Sequence, residues 1–146
     1  MQNRYVGDIG DYLKLGILRA LSPGYHLGIA WWLHLDENHI TDGRHTGYLN
    51  RPDQWRRYDP DLFDALSQIV SSGQRRVRAL EAANLLPRAI FHSDVIPTNR
   101  PTIQRRQARQ EWLHSALATL HEADLVFFLL DAPDEVLRRA EQIEQR

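Results

Sequence analysis

Two aspartates and a lysine stand close together at the start of the chain, in the segment NRYVGDIGDYLKLGILR (3–19). Asp8, Asp11 and Lys14 follow one another at intervals of three residues, and Lys14 is the only lysine among 18 basic residues. Lysine is a compact charge on a flexible stem with a pKa that responds to its surroundings, so the segment has the look of a catalytic motif. The spacing also has a plain structural interpretation, in which Asp8 caps a helix and Asp11 pairs with Lys14.

Capping does not explain the glycines of this segment, at positions 7, 10 and 16. A glycine inside a helix costs roughly 0.5–1 kcal/mol relative to alanine. We therefore expect another backbone or a ligand to approach the helix closely. The segment is predicted to form one wall of a ligand cleft.

A second group of polar residues consists of types that bind divalent metal ions, namely His34, Asp36, Asp42 and His45. Imidazole and carboxylate are both permissible metal ligands. Their spacing matches no tight metal-binding signature, and DGRHTG (42–47) is also typical of a polar turn. A metal site and a structural loop therefore remain the two interpretations of this stretch.

Asp36 and Asp131 each stand at the end of an apolar run, HLGIAWWLHLD (26–36) and ADLVFFLLDA (123–132). Both runs have the length and composition of buried strands. Ligands of open parallel sheets bind beyond the carboxyl ends of the strands. A carboxylate there can accept hydrogen bonds from ribose hydroxyls or from an exocyclic amine. The pattern therefore predicts a site for a nucleotide or nucleoside.

Arginines form two groups, each at the start of a predicted helix. The first contains Arg75, Arg76 and Arg78, and the second contains Arg100, Arg105, Arg106 and Arg109. Arginine suits contacts with phosphates, so nucleic acid is a candidate partner. The alternative is that both groups are ordinary solvated helix faces.

Predicted helices and strands alternate along the chain. Helices are predicted at 9–21, 60–70, 75–86, 102–122 and 133–146, and strands at 26–36, 88–96 and 123–132. In the first helix Ile9, Leu13, Ile17 and Leu21 recur every four residues as one apolar stripe, with Leu15 and Leu18 off it, so we expect core on two sides. The alternation predicts an α/β fold with a three-layer open sheet, mostly parallel. Three strands make a small sheet, so the domain is either minimal or incomplete at its C-terminus.

Length and composition set the broad class of protein. The 146 residues fit one domain, predicted to span 1–146. The net charge is −1 and there is no cysteine. No apolar run reaches the roughly 18 residues of a membrane span, so we expect a cytoplasmic protein without a membrane partner. An incomplete sheet would expose a strand edge, through which the chain could form a homo-oligomer.

Four stretches resemble a family of uncharacterised bacterial and phage-associated proteins: NRYVGDIGDYLKLGILRAL (3–21), LGIAWWLHLDENHITDGRHTGYL (27–49), YDPDLFDAL (58–66) and ADLVFFLLD (123–131). Its members open with a similar Asn-Arg-Tyr-x-Gly-Asp-x-Gly-Asp motif and carry a similar Asp-Gly-Arg-His segment. At a greater distance the layout is similar to Rossmann-like methyltransferases that modify adenine in ribosomal RNA. Those enzymes also begin with a Gly-Asp/Asn-x-x-Asp-x-x-Lys helix and place an Asp-Pro-Pro motif after a later strand.

The resemblance implies roles for particular residues. Asp131 falls near the catalytic Asp-Pro position, and Lys14 is the second candidate catalytic residue. The implied cofactor is S-adenosylmethionine, bordered by Asp8, Asp11 and Asp36, while Arg44 and His45 of the Asp-Gly-Arg-His segment would contact substrate. The chain departs from the pattern in having no glycine-rich loop after the first strand and APDEVL (132–137) in place of Pro-Asp-Asn-Gly.

Three functions are consistent with these observations. The first is a methyltransferase-like protein acting on nucleic acid, either intact or truncated. The second is a metal-dependent nuclease or hydrolase that would use a divalent ion. The third is a non-catalytic binding or assembly domain.

Overall fold

The computed structural model describes residues 1–36, 45–98 and 101–129. Three strands form one sheet: β1 (Leu27–Trp31), β2 (Ile90–His92) and β3 (Leu125–Leu129). Their order is β2-β1-β3, and both pairings are parallel. The predicted α/β class with an open parallel sheet is therefore confirmed for this part of the chain. The predicted terminal helix at 133–146 lies outside the described residues.

Five α-helices accompany the described strands. They are α1 (Ile9–Leu21), α2 (Pro52–Trp55), α3 (Pro60–Ser71), α4 (Val77–Ala82) and α5 (Thr102–Thr119). Two short 3₁₀ turns, Asn3–Tyr5 and Gly47–Asn50, precede α1 and α2. None of the helices in the described ranges is long and apolar enough to cross a membrane.

The starts of α1 and α3 follow their sequence signals. The Asp8 side chain accepts a hydrogen bond from the Asp11 amide, and the Asp59 side chain accepts one from the Leu62 amide. Each satisfies an amide that would otherwise lack a partner at a helix start. Pro60 stands at the first position of α3, where a missing N–H is harmless.

All five residues of β1 are buried, as expected for a central parallel strand. Leu27, Ile29 and Trp31 belong to a large apolar cluster that includes side chains of α1, α3 and α4. Ala30 belongs to a second cluster with Trp112 and Ala116 of α5. The alternation of side chains along β1 therefore supplies both clusters.

The course of the chain reverses at β1. From β1 the chain passes to β2 on one side, and from β2 it crosses back beyond β1 to β3 on the other. In open parallel sheets, ligands bind outside the carboxyl ends of the strands at the point where the strand order reverses. In this sheet that point lies between β1 and β3.

Only the two ends of the apolar stripe of α1 pack against the core, because Ile9 and Leu21 contact the large cluster while the middle of the stripe faces outward. Leu13 is 54% exposed and Ile17 62%, whereas Tyr12, Leu15 and Leu18 are buried. The exposed part of the stripe borders a surface groove that also involves Tyr58 and Leu62.

The three strands and α4 are shorter than the ranges predicted for them, because the apolar residues that flank them pack in irregular segments.

Candidate ligand site at the carboxyl edge of the sheet

The N-terminal segment, residues 1–8, runs beside the residues that follow β1. The His34 amide donates a hydrogen bond to the Met1 carbonyl over 2.7 Å, and the Met1 amine donates to the Trp32 carbonyl. Farther along, the Arg4 amide lies 3.4 Å from an Asp36 carboxylate oxygen. These contacts bring the start of α1 to the carboxyl edge of β1, the edge at which the sequence predicts a ligand.

Asp11 is the buried centre of this region, with only 2% of its surface exposed. One carboxylate oxygen accepts a hydrogen bond from the Gly7 amide over 3.1 Å, and the other lies 3.0 Å from the Lys14 ammonium. Burial raises the pKa of Asp11 to about 6, although Lys14 and the Gly7 amide favour the ionised form and limit the rise. Lys14 retains 27% exposure, so Asp11 holds an amine that a ligand can reach.

The glycines of this segment have separate explanations. Gly7 has a φ of +85°, and a Cβ there would lie 2.5 Å from the Val70 side chain of α3. A Cβ at Gly10 would lie 3.2 Å from the capping oxygen of Asp8. At Gly16 the nearest atom would be 3.9 Å away, which is ordinary contact. The close neighbours at Gly7 and Gly10 are therefore the side chains of Val70 and Asp8, and not the other backbone that the sequence led us to expect.

Tyr48 and Arg75 complete the region, and no local pattern predicted a role for Tyr48. The Tyr48 hydroxyl donates to the Gly7 carbonyl over 3.2 Å, and Arg75 Nε donates to the Val6 carbonyl over 2.6 Å. Burial, followed by the charges of Asp11 and Asp8, raises the pKa of Tyr48. Burial lowers the pKa of Arg75, while Asp8 and Asp11 oppose that change. The chain around Gly7 is thus held from two other elements.

Other predicted site residues lie around this edge or outside the described ranges. Asp36 is exposed, His34 is half-buried, and His45 is exposed while its carbonyl accepts a hydrogen bond from the Ile9 amide. Arg44, Asp42 and Asp131 lie outside the described residues. Within the described ranges no group of three or more His, Asp or Glu side chains could hold a metal ion.

A second polar group, at the carboxyl end of β2, was not identified from the sequence. The Glu81 carboxylate accepts hydrogen bonds from Trp31 Nε1 (2.9 Å) and from the Ser93 hydroxyl. His92 is 4% exposed, and its Nε2 lies 4.0 Å from a carboxylate oxygen of Asp94. Local spacing gives no signal for these contacts, because Glu81 belongs to α4 and the other residues to strands β1 and β2 and the loop that follows.

Comparison with known proteins gives no assignment for this arrangement. No protein-family model, curated protein or solved structure matches the chain.

Proposed function

We propose that this chain is a methyltransferase-like protein that acts on nucleic acid and binds S-adenosylmethionine at the carboxyl edge between β1 and β3. The observation that carries the proposal is the strand order β2-β1-β3, which reverses at the point where Asp36 and the N-terminal segment meet. We also propose that the fold has three layers. This arrangement is supported by the division of the β1 side chains between two apolar clusters.

The residues at this edge are chemically suited to the two ends of such a ligand. Asp36 follows β1 and is exposed, so its carboxylate can accept hydrogen bonds from ribose hydroxyls. Lys14 offers a partly exposed ammonium held by Asp11, which suits a carboxylate or phosphate group. When bound, S-adenosylmethionine supplies an electrophilic methyl group. The chain itself supplies orientation and hydrogen bonds.

The other predicted site residues take different parts in this proposal. Asp11 acts through Lys14 and is a positioning residue, because its carboxylate is buried. Asp8 holds the start of α1 by capping it. Asp131 remains the proposed catalytic carboxylate, and Arg44 and His45 the proposed substrate contacts.

Calorimetric titration with S-adenosylmethionine tests the donor site. We expect the Asp36→Asn variant to bind at least about tenfold more weakly, since a hydrogen bond to a charged group is worth roughly 1.5–3 kcal/mol. The matched control is Asp53→Asn, an exposed aspartate in the first turn of α2. Absence of heat at millimolar ligand, or equal affinities of the two variants, would contradict the proposal.

Transfer of a labelled methyl group to RNA or DNA tests the reaction itself. Lys14→Met removes the ammonium and keeps the length of the side chain, and we expect it to lose transfer. Lys14→Arg keeps the charge and is the companion variant. Full transfer by Lys14→Met would remove this residue from the proposed catalytic set.

Assembly through the sheet edge is a second candidate function, favoured by β3. Within the described residues β3 pairs with β1 alone, and Val126 and Phe128 are 38% and 37% exposed. An apolar edge strand without charge or proline is prone to pair with another chain. Light scattering should show a homo-oligomer that Phe128→Lys dissociates. If light scattering shows a monomer at about 100 µM, assembly through β3 is excluded.

A further inference from the structure

The N-terminal half of α5 presents arginines on the same edge of the molecule as the proposed ligand site. Residues 102–110 contain Arg105, Arg106 and Arg109 and no acidic residue. Arg106 and Arg109 are exposed, and Arg105 is half-buried. This stretch therefore has a formal charge of +3 in a chain whose net charge is −1. We call residues 102–110 the basic face of α5.

Two contacts fix the basic face at the carboxyl edge. Arg109 Nε lies 3.4 Å from the Pro97 carbonyl, and Trp112 Nε1 donates to the Asp94 carbonyl over 2.8 Å. Asp94 and Pro97 both follow β2, so they mark the carboxyl end of that strand. The buried ring of Trp112 anchors this part of the helix in the second apolar cluster.

The other arginine group reaches the same edge from α4. The Val77 amide, at the start of α4, donates to the side-chain oxygen of Asn3 over 3.0 Å. Asn3 belongs to the N-terminal segment that runs beside the end of β1. Arg76, which precedes α4, is exposed there. Arg76 and the basic face of α5, which are separate in sequence, therefore lie at one edge of the sheet.

The chemistry of the basic face fits an extended polyanion. Ile103 is 87% exposed and, with Arg106 and Gln110, follows the three- and four-residue spacing of one helix side. Guanidinium groups bind phosphates and stack on bases, and glutamine adds neutral hydrogen bonds. The single exposed apolar side chain of Ile103 can pack against a base but is too little to insert into a membrane.

We propose that the basic face of α5 binds the phosphate backbone of a single-stranded nucleic acid and leads it to the carboxyl edge of the sheet. The choice of nucleic acid rests on the proposed function. Phosphate contacts of this kind carry affinity and position without sequence preference.

Fluorescence anisotropy with a labelled single-stranded RNA of mixed sequence tests this surface across a range of salt concentrations. For single strands the logarithm of the binding constant falls with the logarithm of salt by about 0.7 for each phosphate contact. We expect Arg106→Gln/Arg109→Gln to lower that slope by about 1.4 and to weaken binding roughly tenfold at low salt. Arg106→Lys/Arg109→Lys keeps both charges and should keep the slope.

The matched control neutralises two exposed arginines at the opposite, amino edge. Arg57 precedes α3 and Arg88 precedes β2, and both are exposed. Arg57→Gln/Arg88→Gln should keep the slope of the unmodified protein. The proposal is overturned if the salt slope of the α5 variant equals that of the unmodified protein, or if the slope of the control variant falls as much as that of the α5 variant. It is also overturned if the unmodified protein does not bind RNA at about 50 mM salt, where phosphate contacts are strong.

The two proposals can fail independently. S-adenosylmethionine titrated into Arg106→Gln/Arg109→Gln should bind as it does to the unmodified protein, because neither side chain contributes to the donor site. RNA binding with a normal salt response but without donor binding would overturn the proposed function alone. Donor binding together with RNA binding that is unchanged in Arg106→Gln/Arg109→Gln would overturn the inference about α5 alone.

Discussion

The two sides of α1 have similar apolar content but different surroundings. One side places Asp11, Leu15 and Leu18 at 1–2% exposure, while the other leaves Leu13 and Ile17 more than half exposed. The polar residue is thus inside and two apolar residues are outside. Asp11 is tolerated inside because the Gly7 amide and Lys14 satisfy its carboxylate. The difference shows that packing against α3, α4 and the sheet, and not residue type alone, decides which side of this helix is core.

The largest effect is expected from truncation on the buried side of α1. Leu18→Ala should lower the free energy of unfolding by about 3 kcal/mol, because it removes buried methyl groups and leaves a cavity. Urea denaturation followed by circular dichroism measures this change. Leu13→Ala, the same chemical change on the exposed side, is the control and should stay within about 0.5 kcal/mol. Equal losses in the two variants would remove the distinction between the sides.

Gly7→Ala should have the next largest effect. The added Cβ meets Val70 of α3 at 2.5 Å, and the backbone at φ +85° disfavours any side chain. We expect a loss of about 2 kcal/mol in the free energy of unfolding. Gly47→Ala, where a Cβ meets nothing within 4 Å, is the matched control. A stable Gly7→Ala protein would show that the chain around Asp11 can shift.

Asp11→Asn should change how stability depends on pH. The pKa of Asp11 is raised from 3.8 to about 6 on folding, so its contribution to stability is fully present below pH 3.8 and is lost as the pH rises through 6. Between pH 4 and pH 7.5 the loss from this group is about 2 kcal/mol. Denaturation at both pH values should show that fall in the unmodified protein and lack it in Asp11→Asn. Parallel pH profiles would argue that Asp11 titrates normally.

The smallest effect is expected on the exposed stripe. Leu13→Ser/Ile17→Ser should change the free energy of unfolding by no more than about 0.5 kcal/mol for each residue, because both side chains already contact water. Thermal melts of the double variant and the unmodified protein provide the comparison. A combined loss above about 1.5 kcal/mol would mean that a second copy or another part of the chain covers the stripe.

The sequence predicted the kind and order of the major elements because their signals are local. Asp8 and Asp59 sit at helix caps, and Pro60 opens α3. The apolar run at 26–36 contains a strand that is buried throughout, and the α/β class follows from the alternation of elements. The lengths of the strands were overestimated, since apolar residues such as Leu33 and Ile96 are buried outside regular structure.

The candidate site was predictable only in part. Asp8, Asp11 and Lys14 follow one another at intervals of three residues, so the cap by Asp8 and the Asp11–Lys14 pair both follow from helix geometry. Tyr48 and Arg75 approach the same segment from residues 41 and 69 positions away, which no local pattern encodes. The same applies to Glu81, which joins Trp31 and Ser93.

Local sequence was enough for the kind and order of the major helices and strands, the caps of α1 and α3, and the Asp11–Lys14 pair, because each depends on residues a few positions apart. The short helix α2 was not predicted. Tertiary structure decided which side of α1 is buried, why Gly7 is glycine, and that Asp36, Arg76 and Arg106 reach one edge of the sheet. The first two depend on the packing of α1 and its start against α3 and the rest of the large cluster, and the third depends on the parallel order β2-β1-β3. That order brings the ends of distant elements together, and burial there depends on neighbours that the local sequence does not specify.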